Sequence, residues 1–377
     1  MHLIVDASNI RKGGGVTHLQ EVLNAVDFKD FGFSKITVWA PMSTLDRINS
    51  RHSLVFKSHP YIEQGGGRAY WFRKKFDRYL SNDASLLWAP GGTYIGSFQP
   101  YVTMVRNFLP FEEKERDRFK YSKTWLRYLY LRHTQTYSFK HAKGLIQISQ
   151  KTSEVINSCM DLHGVRQVVI HHGLNERFLA YPRAQRDYSE FSDAEPVRLL
   201  YVSPINHYKH QDKLIAAVAK LREKKIPIVV DLVGPAFPAA KKVFNSIADR
   251  LDPDREWIHW HGEIPYSEVQ AYYQKADIYA CMSTCETFGM ILLEAMASGL
   301  PILCSNRSAL PEINGGTSPE VDPEDINAVA TELERLILDR ELRVSCALAA
   351  YERAKTFTWQ RCADNTFEFL AECAGRD

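Results

Sequence analysis

The chain has 377 residues, with 47 Lys and Arg against 45 Asp and Glu, and 45% of it is hydrophobic. That length favours two domains, each with its own core, and the composition is that of an ordinary soluble enzyme. No run of eighteen or more apolar residues occurs, so no membrane-spanning helix is expected.

The pattern begins at once with a buried strand, Leu3-Ile4-Val5, behind a start that lacks the basic and apolar regions of a signal peptide. Gly13, Gly14 and Gly15 lie in a loop from Asn9 to Val16, which opens into a helix from Thr17 to Val26. Glycines in that position let a backbone approach a phosphate or a sugar, although the run matches neither a full G-x-G-x-x-G nor a P-loop. Further strands are expected at Ile36–Ala40, Leu86–Ala89, Tyr101–Val105, Gly144–Ser149 and Val168–His171. Strands alternating with helices predict a parallel, doubly wound sheet.

Between Gly65 and Lys143 fifteen Lys/Arg face six Asp/Glu, and the stretch is dense in Tyr, Trp and Phe. Its core is Tyr70-Trp71-Phe72-Arg73-Lys74-Lys75 and a helical segment from Lys114 to Lys143. No nucleic-acid-binding motif accompanies it, so no nucleic-acid partner is expected. Two readings remain: an anionic membrane surface as partner, or a solvated basic face over aromatic core residues.

The polar stretch from Ala180 to Glu195 is the best linker candidate. It separates a first domain at 1–185 from a second at 196–356, with a final amphipathic helix in 357–377 expected to cross back to the first. Beyond the linker the pattern restarts, with strands at Arg198–Val202, Ile228–Gly234 and Ile258–Gly262. Lys209 sits in the loop after the first of these. Asp252-Pro253-Asp254 is a formal Asp-x-Asp, but it lies in a polar loop, and the 13 His show no ligand spacing, so no metal is expected. The seven cysteines are scattered and read as buried thiols of a reducing compartment, which places the chain in the cytoplasm.

The most informative run is Cys285 to Pro301. A buried strand, Ile278–Met282, leads through a turn at 284–287 into a helix read from Phe288 to Ser298, which Gly299 and Pro301 end. Glu286 therefore lies in the loop and Glu294 in the second turn, eight positions on. The N–H groups of Phe288, Gly289 and Met290 form an anion site, and Glu294 leans back toward the same ligand. A phosphate on amides with hydroxyl-rich groups beneath two carboxylates describes a sugar nucleotide.

E-T-F-G-M-I-L-L-E-A-M-A-S-G-L-P at Glu286–Pro301 resembles the Glu-x(7)-Glu signature of the family 4 retaining glycosyltransferases, whose fold is called GT-B. His261-Gly262-Glu263-Ile264, Ser308-Ala309-Leu310-Pro311-Glu312, His172-Gly173-Leu174-Asn175 and Phe357-Thr358-Trp359 resemble further family motifs. The likeness is strong from about Leu199 onward and weak before Ser149. It implies two Rossmann-like domains facing across a cleft, with the donor on the second and the acceptor on the first. Lys209 matches a diphosphate-gripping Lys, whereas the companion Arg falls on Pro204. Arg106 takes the place of a His that the family often sets near the donor sugar. Backbone near Ile264 would meet the base, Glu286 the sugar hydroxyls and Glu294 the ribose.

The implied reaction is metal-free and cofactor-free transfer of a hexose with retention, to a glycan or lipid-linked glycan in O-antigen, lipopolysaccharide or capsule synthesis. GDP-mannose is the first choice of donor and a UDP-hexose the next. The alternatives are a sugar-nucleotide epimerase or hydrolase on the same fold, or a non-catalytic nucleotide-sugar-binding protein. If the acceptor is a lipid-linked sugar, the basic aromatic first half is expected to rest on the leaflet, which would make this cytoplasmic enzyme peripheral at the inner face of the membrane.

Overall fold

Leu3, Ile4 and Val5 are completely buried, as a strand covered on both faces must be. They centre β1 (His2–Asp6) of a computed structural model that describes residues 1–50, 53–80 and 82–375, with the side chains of 68–71 outside the described set. Tyr70 and Trp71 of the basic aromatic stretch therefore lie outside the described side chains. The chain divides into two units, Met1–Gly173 with Thr358–Asp377, and Leu174–Phe357. The polar stretch 180–195 lies inside the second of them.

The first unit holds a seven-stranded sheet in the order β3-β2-β1-β4-β5-β6-β7. Its other strands are β2 (Lys35–Trp39), β3 (Leu54–Lys57), β4 (Leu86–Ala89), β5 (Tyr101–Val105), β6 (Gly144–Gln147) and β7 (Arg166–Val169). All neighbours pair in parallel. The C-terminal helix Trp359–Cys373 packs beside the helix Gly14–Ala25, and Phe367 meets the rings of Phe28, Phe31 and Phe33.

The second unit holds a six-stranded parallel sheet in the order β10-β9-β8-β11-β12-β13. Its strands are β8 (Val197–Val202), β9 (Ile228–Val233), β10 (Ile258–Trp260), β11 (Ile278–Cys281), β12 (Ile302–Ser305) and β13 (Glu320–Val321). The expected architecture of two Rossmann-like units is what the chain adopts. In each sheet the strand order reverses beside the first strand, between β1 and β4 and between β8 and β11. Loops leaving the carboxyl ends of such a pair diverge and leave a crevice for a ligand.

Several local expectations are corrected. β3 and β13 were not foreseen: β3 is a short, half-exposed edge, and β13 has two residues. The 114–143 segment is two helices, Glu113–Asp117 and Lys123–Lys140. They are parted where Tyr121 takes a left-handed φ of 63° and Ser122 caps the second by accepting the Trp125 N–H. The first helix starts at Gly14 rather than Thr17, so Gly14 and Gly15 belong to its opening turn. Asp252 caps a turn, its two oxygens accepting the N–H groups of Glu256, Trp257 and Ile258 at 2.7–2.9 Å.

Candidate active site

The β8/β11 crevice carries the strongest chemistry. After β8 the chain runs through Ser203–His210 and enters the helix Gln211–Glu223. Two bonds stitch this loop to the one leaving β11. The Thr284 N–H donates to the Tyr208 carbonyl at 2.9 Å, and the His210 ring nitrogen Nε2 meets Thr284 Oγ1 at 3.2 Å. The stitch sets Lys209, only 5% exposed, against the carboxylate of Glu286, to which its ammonium donates a hydrogen bond. Burial works against the ammonium, but the Glu286 charge, with Tyr208 beside it, outweighs burial and holds the Lys209 pKa above its ordinary range.

Glu286 is held by its backbone as well. Its N–H donates to Ser308 Oγ at 2.7 Å, and that hydroxyl donates to the Glu286 carbonyl at 2.7 Å. The Ala309 N–H adds a weaker contact to the same carbonyl. Ser308 manages this with a φ of 64°, a left-handed conformation that is costly outside glycine.

The following helix runs from Met290 to Ala297, two residues later than the sequence suggests. Gly289 has a φ of 106°, which no helix accommodates, and a Cβ there would strike Leu310 Cδ2 at 2.8 Å. Phe288 turns into the core against Phe357. Of the three amides expected at the helix start, only that of Met290 belongs to its first turn. The first intrahelical bond is Leu293 N–H to the Gly289 carbonyl, so the amides of Met290, Ile291 and Leu292 lack intrahelical partners and carry the positive end of the helix dipole.

Glu294 is buried, and its oxygens are occupied: Tyr266 Oη donates at 2.6 Å and Tyr273 Oη at 3.2 Å. Burial raises its pKa to about 7, against the pull of both hydroxyls and of the Arg177 charge. Arg177 lies 3.9 Å over the Tyr266 ring and donates to the Tyr266 carbonyl at 2.9 Å. Ile264 is half-buried on the loop after β10, just before these tyrosines. Tyr266, Tyr273 and Ser308 were not singled out as functional from the sequence. The spacing of seven between the two tyrosines puts them on one helical face, but only packing shows that Glu294 is what that face meets.

In the first unit the structure brings the glycine loop and Arg106 together. Gly13, with a φ of 66°, caps the helix, and the space above Gly13 and Gly14 is open. A Cβ on Gly15 would lie 3.7 Å from the Arg106 guanidinium, which leaves the end of β5 to reach the helix start. Burial draws the Arg106 pKa down to about 10, so the side chain remains a cation at neutral pH. Across the crevice mouth, Asn9 Nδ2 donates to the Gly91 carbonyl in the loop after β4 at 3.1 Å.

Residues 183–353 match the family model described as Glycosyl transferases group 1. The O-antigen chain mannosyltransferase B of Escherichia coli is 32% identical over 110 residues, 29% of this chain and 29% of that protein. The chain spans less than half the length of the curated relatives it matches. Among solved structures, the sucrose-phosphate synthase of Thermosynechococcus elongatus superposes with a TM-score of 0.74 over 99% of this chain and 98% of that one, at 17% identity. Anabaena HepE, in complex with UDP and glucose, gives 0.70 over 99% and 100%, also at 17% identity. At such identities the likeness is one of fold, the two-unit GT-B architecture.

Proposed function

We propose that this chain is a glycosyltransferase of the group 1 kind, which moves a hexose from a nucleoside diphosphate sugar to a glycan or lipid-linked glycan acceptor with retention of configuration. The Lys209–Glu286 pair at the strand-order reversal of the second sheet carries this reading. A buried ammonium rests on the Glu286 carboxylate, four residues before a helix whose free first amides suit a diphosphate, and that carboxylate suits the sugar hydroxyls.

Charge grows on the diphosphate as the sugar–oxygen bond breaks. Lys209 is fixed before that moment, and the amides from Met290 onward are already oriented, so both stabilise the leaving group without reorganising. Pro204 leaves no second cation on that loop, and Lys209 carries the counter-charge there. Glu286 keeps one oxygen on Lys209 and offers the other to the transferred sugar. No described side chain is assigned as a covalent nucleophile. The leaving phosphate takes the acceptor proton on the face it departs from, which preserves configuration. Glu294 would exchange its tyrosine hydroxyls for, or share them with, the ribose. Arg106 and the open glycine loop supply a cationic, sterically free wall in the first unit.

GDP-mannose is the proposed donor, in keeping with the mannosyltransferase among the relatives, and a UDP-hexose is the competing one. A thermal-shift screen of GDP-, UDP- and ADP-sugars identifies the base, because a ligand that binds the folded state raises apparent stability. Product analysis with donor alone, then donor plus a lipid-linked glycan, separates transfer from hydrolysis or epimerisation. Release of free sugar or an epimer in both arms would overturn transfer.

A cytoplasmic setting at the inner membrane face completes the reading. All seven cysteines are free thiols, and no described helix is long and apolar enough to cross a membrane. The helix Lys123–Lys140 and the turn before it expose Tyr121, Lys123, Leu126, Arg127, Tyr130, Tyr137 and Lys140, at helical spacing and without an acidic residue. Such a stripe suits an anionic leaflet.

A further inference from the structure

His18 occupies a position in the helix Gly14–Ala25 where its neighbours on the buried face, Val16, Leu19, Val22 and Leu23, are all apolar. It has no exposure, and neither of its ring nitrogens has a hydrogen-bond partner. Leaving a buried polar group unsatisfied costs about 1–3 kcal/mol. An aliphatic residue would avoid that cost, so the ring's presence in the core calls for a ligand. Two further donors lie beside it. The nitrogens of His18 and His172 and the sulfur of Cys362 all fall within 4.8 Å of one another, and all three residues are buried.

The backbone is arranged to bring them there. His172 follows β7 and Cys362 lies in the first turn of the C-terminal helix. Gly173 lets the two segments touch, because a Cβ on it would lie 2.2 Å from the Trp359 amide nitrogen. Trp88 and Trp359 wall the cluster, with ring centroids 6.1 and 6.0 Å from that of His18.

We propose that His18, His172 and Cys362 bind one zinc-type divalent ion inside the first unit. Two imidazoles and a thiolate are a borderline-soft donor set, which suits Zn²⁺ and disfavours Mg²⁺ and Ca²⁺. Zinc bonds of about 2.0–2.3 Å place tetrahedral ligand atoms roughly 3.5 Å apart. The donor atoms lie within 4.8 Å of one another, so ligation requires them to close to that distance. On binding, the Cys362 thiol loses its proton to solvent and its sulfur bonds the metal, while each imidazole donates a lone pair. Water takes the fourth position.

The surroundings favour neutral imidazoles but oppose the ion in two ways, through the Arg106 cation and through burial, which pushes the Cys362 thiol up to about 12 so that only the metal's own charge would ionise it. Burial above all, then the partner ring and Arg106, hold His18 well below its ordinary pKa, and burial, Arg106 and His171 do the same for His172. Both rings are therefore neutral at physiological pH, the form that ligates. The Arg106 cation opposes a second cation nearby, and the thiolate offsets it. All three ligands belong to the first unit, and the proposed metal-free transfer at Lys209 and Glu286 stands or falls independently of them.

The test uses the full chain, stripped with a chelator, dialysed, and titrated with Co²⁺ alone. One equivalent should bind, with a thiolate-to-cobalt charge-transfer band in the near ultraviolet that Zn²⁺ abolishes by displacement. Cys362→Ser should lose the band and Cys159→Ser should keep it. Absence of the band in the wild-type protein would overturn the proposal, whether or not any variant folds. Persistence of the band in Cys362→Ser would overturn it equally, by assigning the ion to another thiol.

Discussion

Ser308 grips the backbone of Glu286 on both sides of its Cα, accepting from its N–H and donating to its C=O, each at 2.7 Å. The gripping hydroxyl stands on a left-handed residue, so the backbone strain at Ser308 is spent on the aim of a carboxylate. Ser308→Ala removes both bonds and keeps the φ penalty. We expect kcat to fall about tenfold, the equivalent of one or two lost hydrogen bonds, while donor KM changes little. Ser308→Gly should recover stability without recovering kcat. Steady-state kinetics beside urea unfolding checks this; equal losses of kcat and stability in both variants would make Ser308 merely structural.

Glu286→Gln should lower kcat more than about a hundredfold, since a charged hydrogen bond to the reacting sugar is worth about 3 kcal/mol. It should also destabilise the fold by about 2 kcal/mol, because the buried Lys209 ammonium then has no counter-charge. Lys209→Met should be as inactive. The double variant should regain much of the stability and none of the activity. A double-mutant cycle by urea denaturation measures the coupling, and additive losses would mean the two side chains do not share a charge.

Burial holds the Glu294 pKa at about 7, well above the usual carboxyl value of 4.5. Between those pH values the folded state binds more protons than the unfolded one. Stability attributable to this residue therefore falls as pH rises from 4.5 to 7, by about 3 kcal/mol at about 1.4 kcal/mol per pH unit. Below pH 4.5 both states are protonated and the contribution is flat. Glu294→Gln should flatten this part of the profile and exceed wild type in stability at pH 8. Chemical denaturation across pH 4.5–8 reads the difference directly, and parallel profiles would place the ionisation elsewhere.

Liposome co-sedimentation tests the exposed stripe on Lys123–Lys140. Binding to anionic vesicles should fade as salt rises, because the attraction is screened within a Debye length. Removing two basic residues near the surface costs about 2 kcal/mol, so Lys123→Glu with Arg127→Glu should weaken partitioning roughly thirtyfold or more. Leu126→Ser should weaken it without changing the salt dependence. Equal binding to neutral and anionic vesicles would leave the stripe as solvated surface.

Most of the strands and the position of Glu286 were legible in the sequence because buried parallel strands write themselves as short apolar runs, and because Gly299 and Pro301 punctuate the helix behind Glu286. The start of that helix was not legible. Only the backbone shows that Gly289, with its φ of 106°, stands outside it, and the Cβ clash with Leu310 shows why the position takes glycine. The environment of Glu294 was hidden for a similar reason, since its partners come from residues 266 and 273, on another helical turn and helix. Edge strands such as β3 were missed because a half-exposed strand loses the apolar run that marks a central one. His18 gave no signal either: its spacing to His172 and Cys362 means nothing until β7 and the C-terminal helix are brought side by side.

Phe367 packs with Phe28, Phe31 and Phe33, although more than three hundred residues of chain separate it from them. A ribosome delivers the whole of Leu174–Phe357 before it delivers that ring. The second unit, continuous in sequence, is free to finish folding while the earlier-made first unit still waits with an open aromatic groove. The nascent chain can thus complete its later unit first, and a stop codon between Thr358 and Phe367 would leave Leu174–Phe357 whole while the first unit lacks the ring that fills its groove.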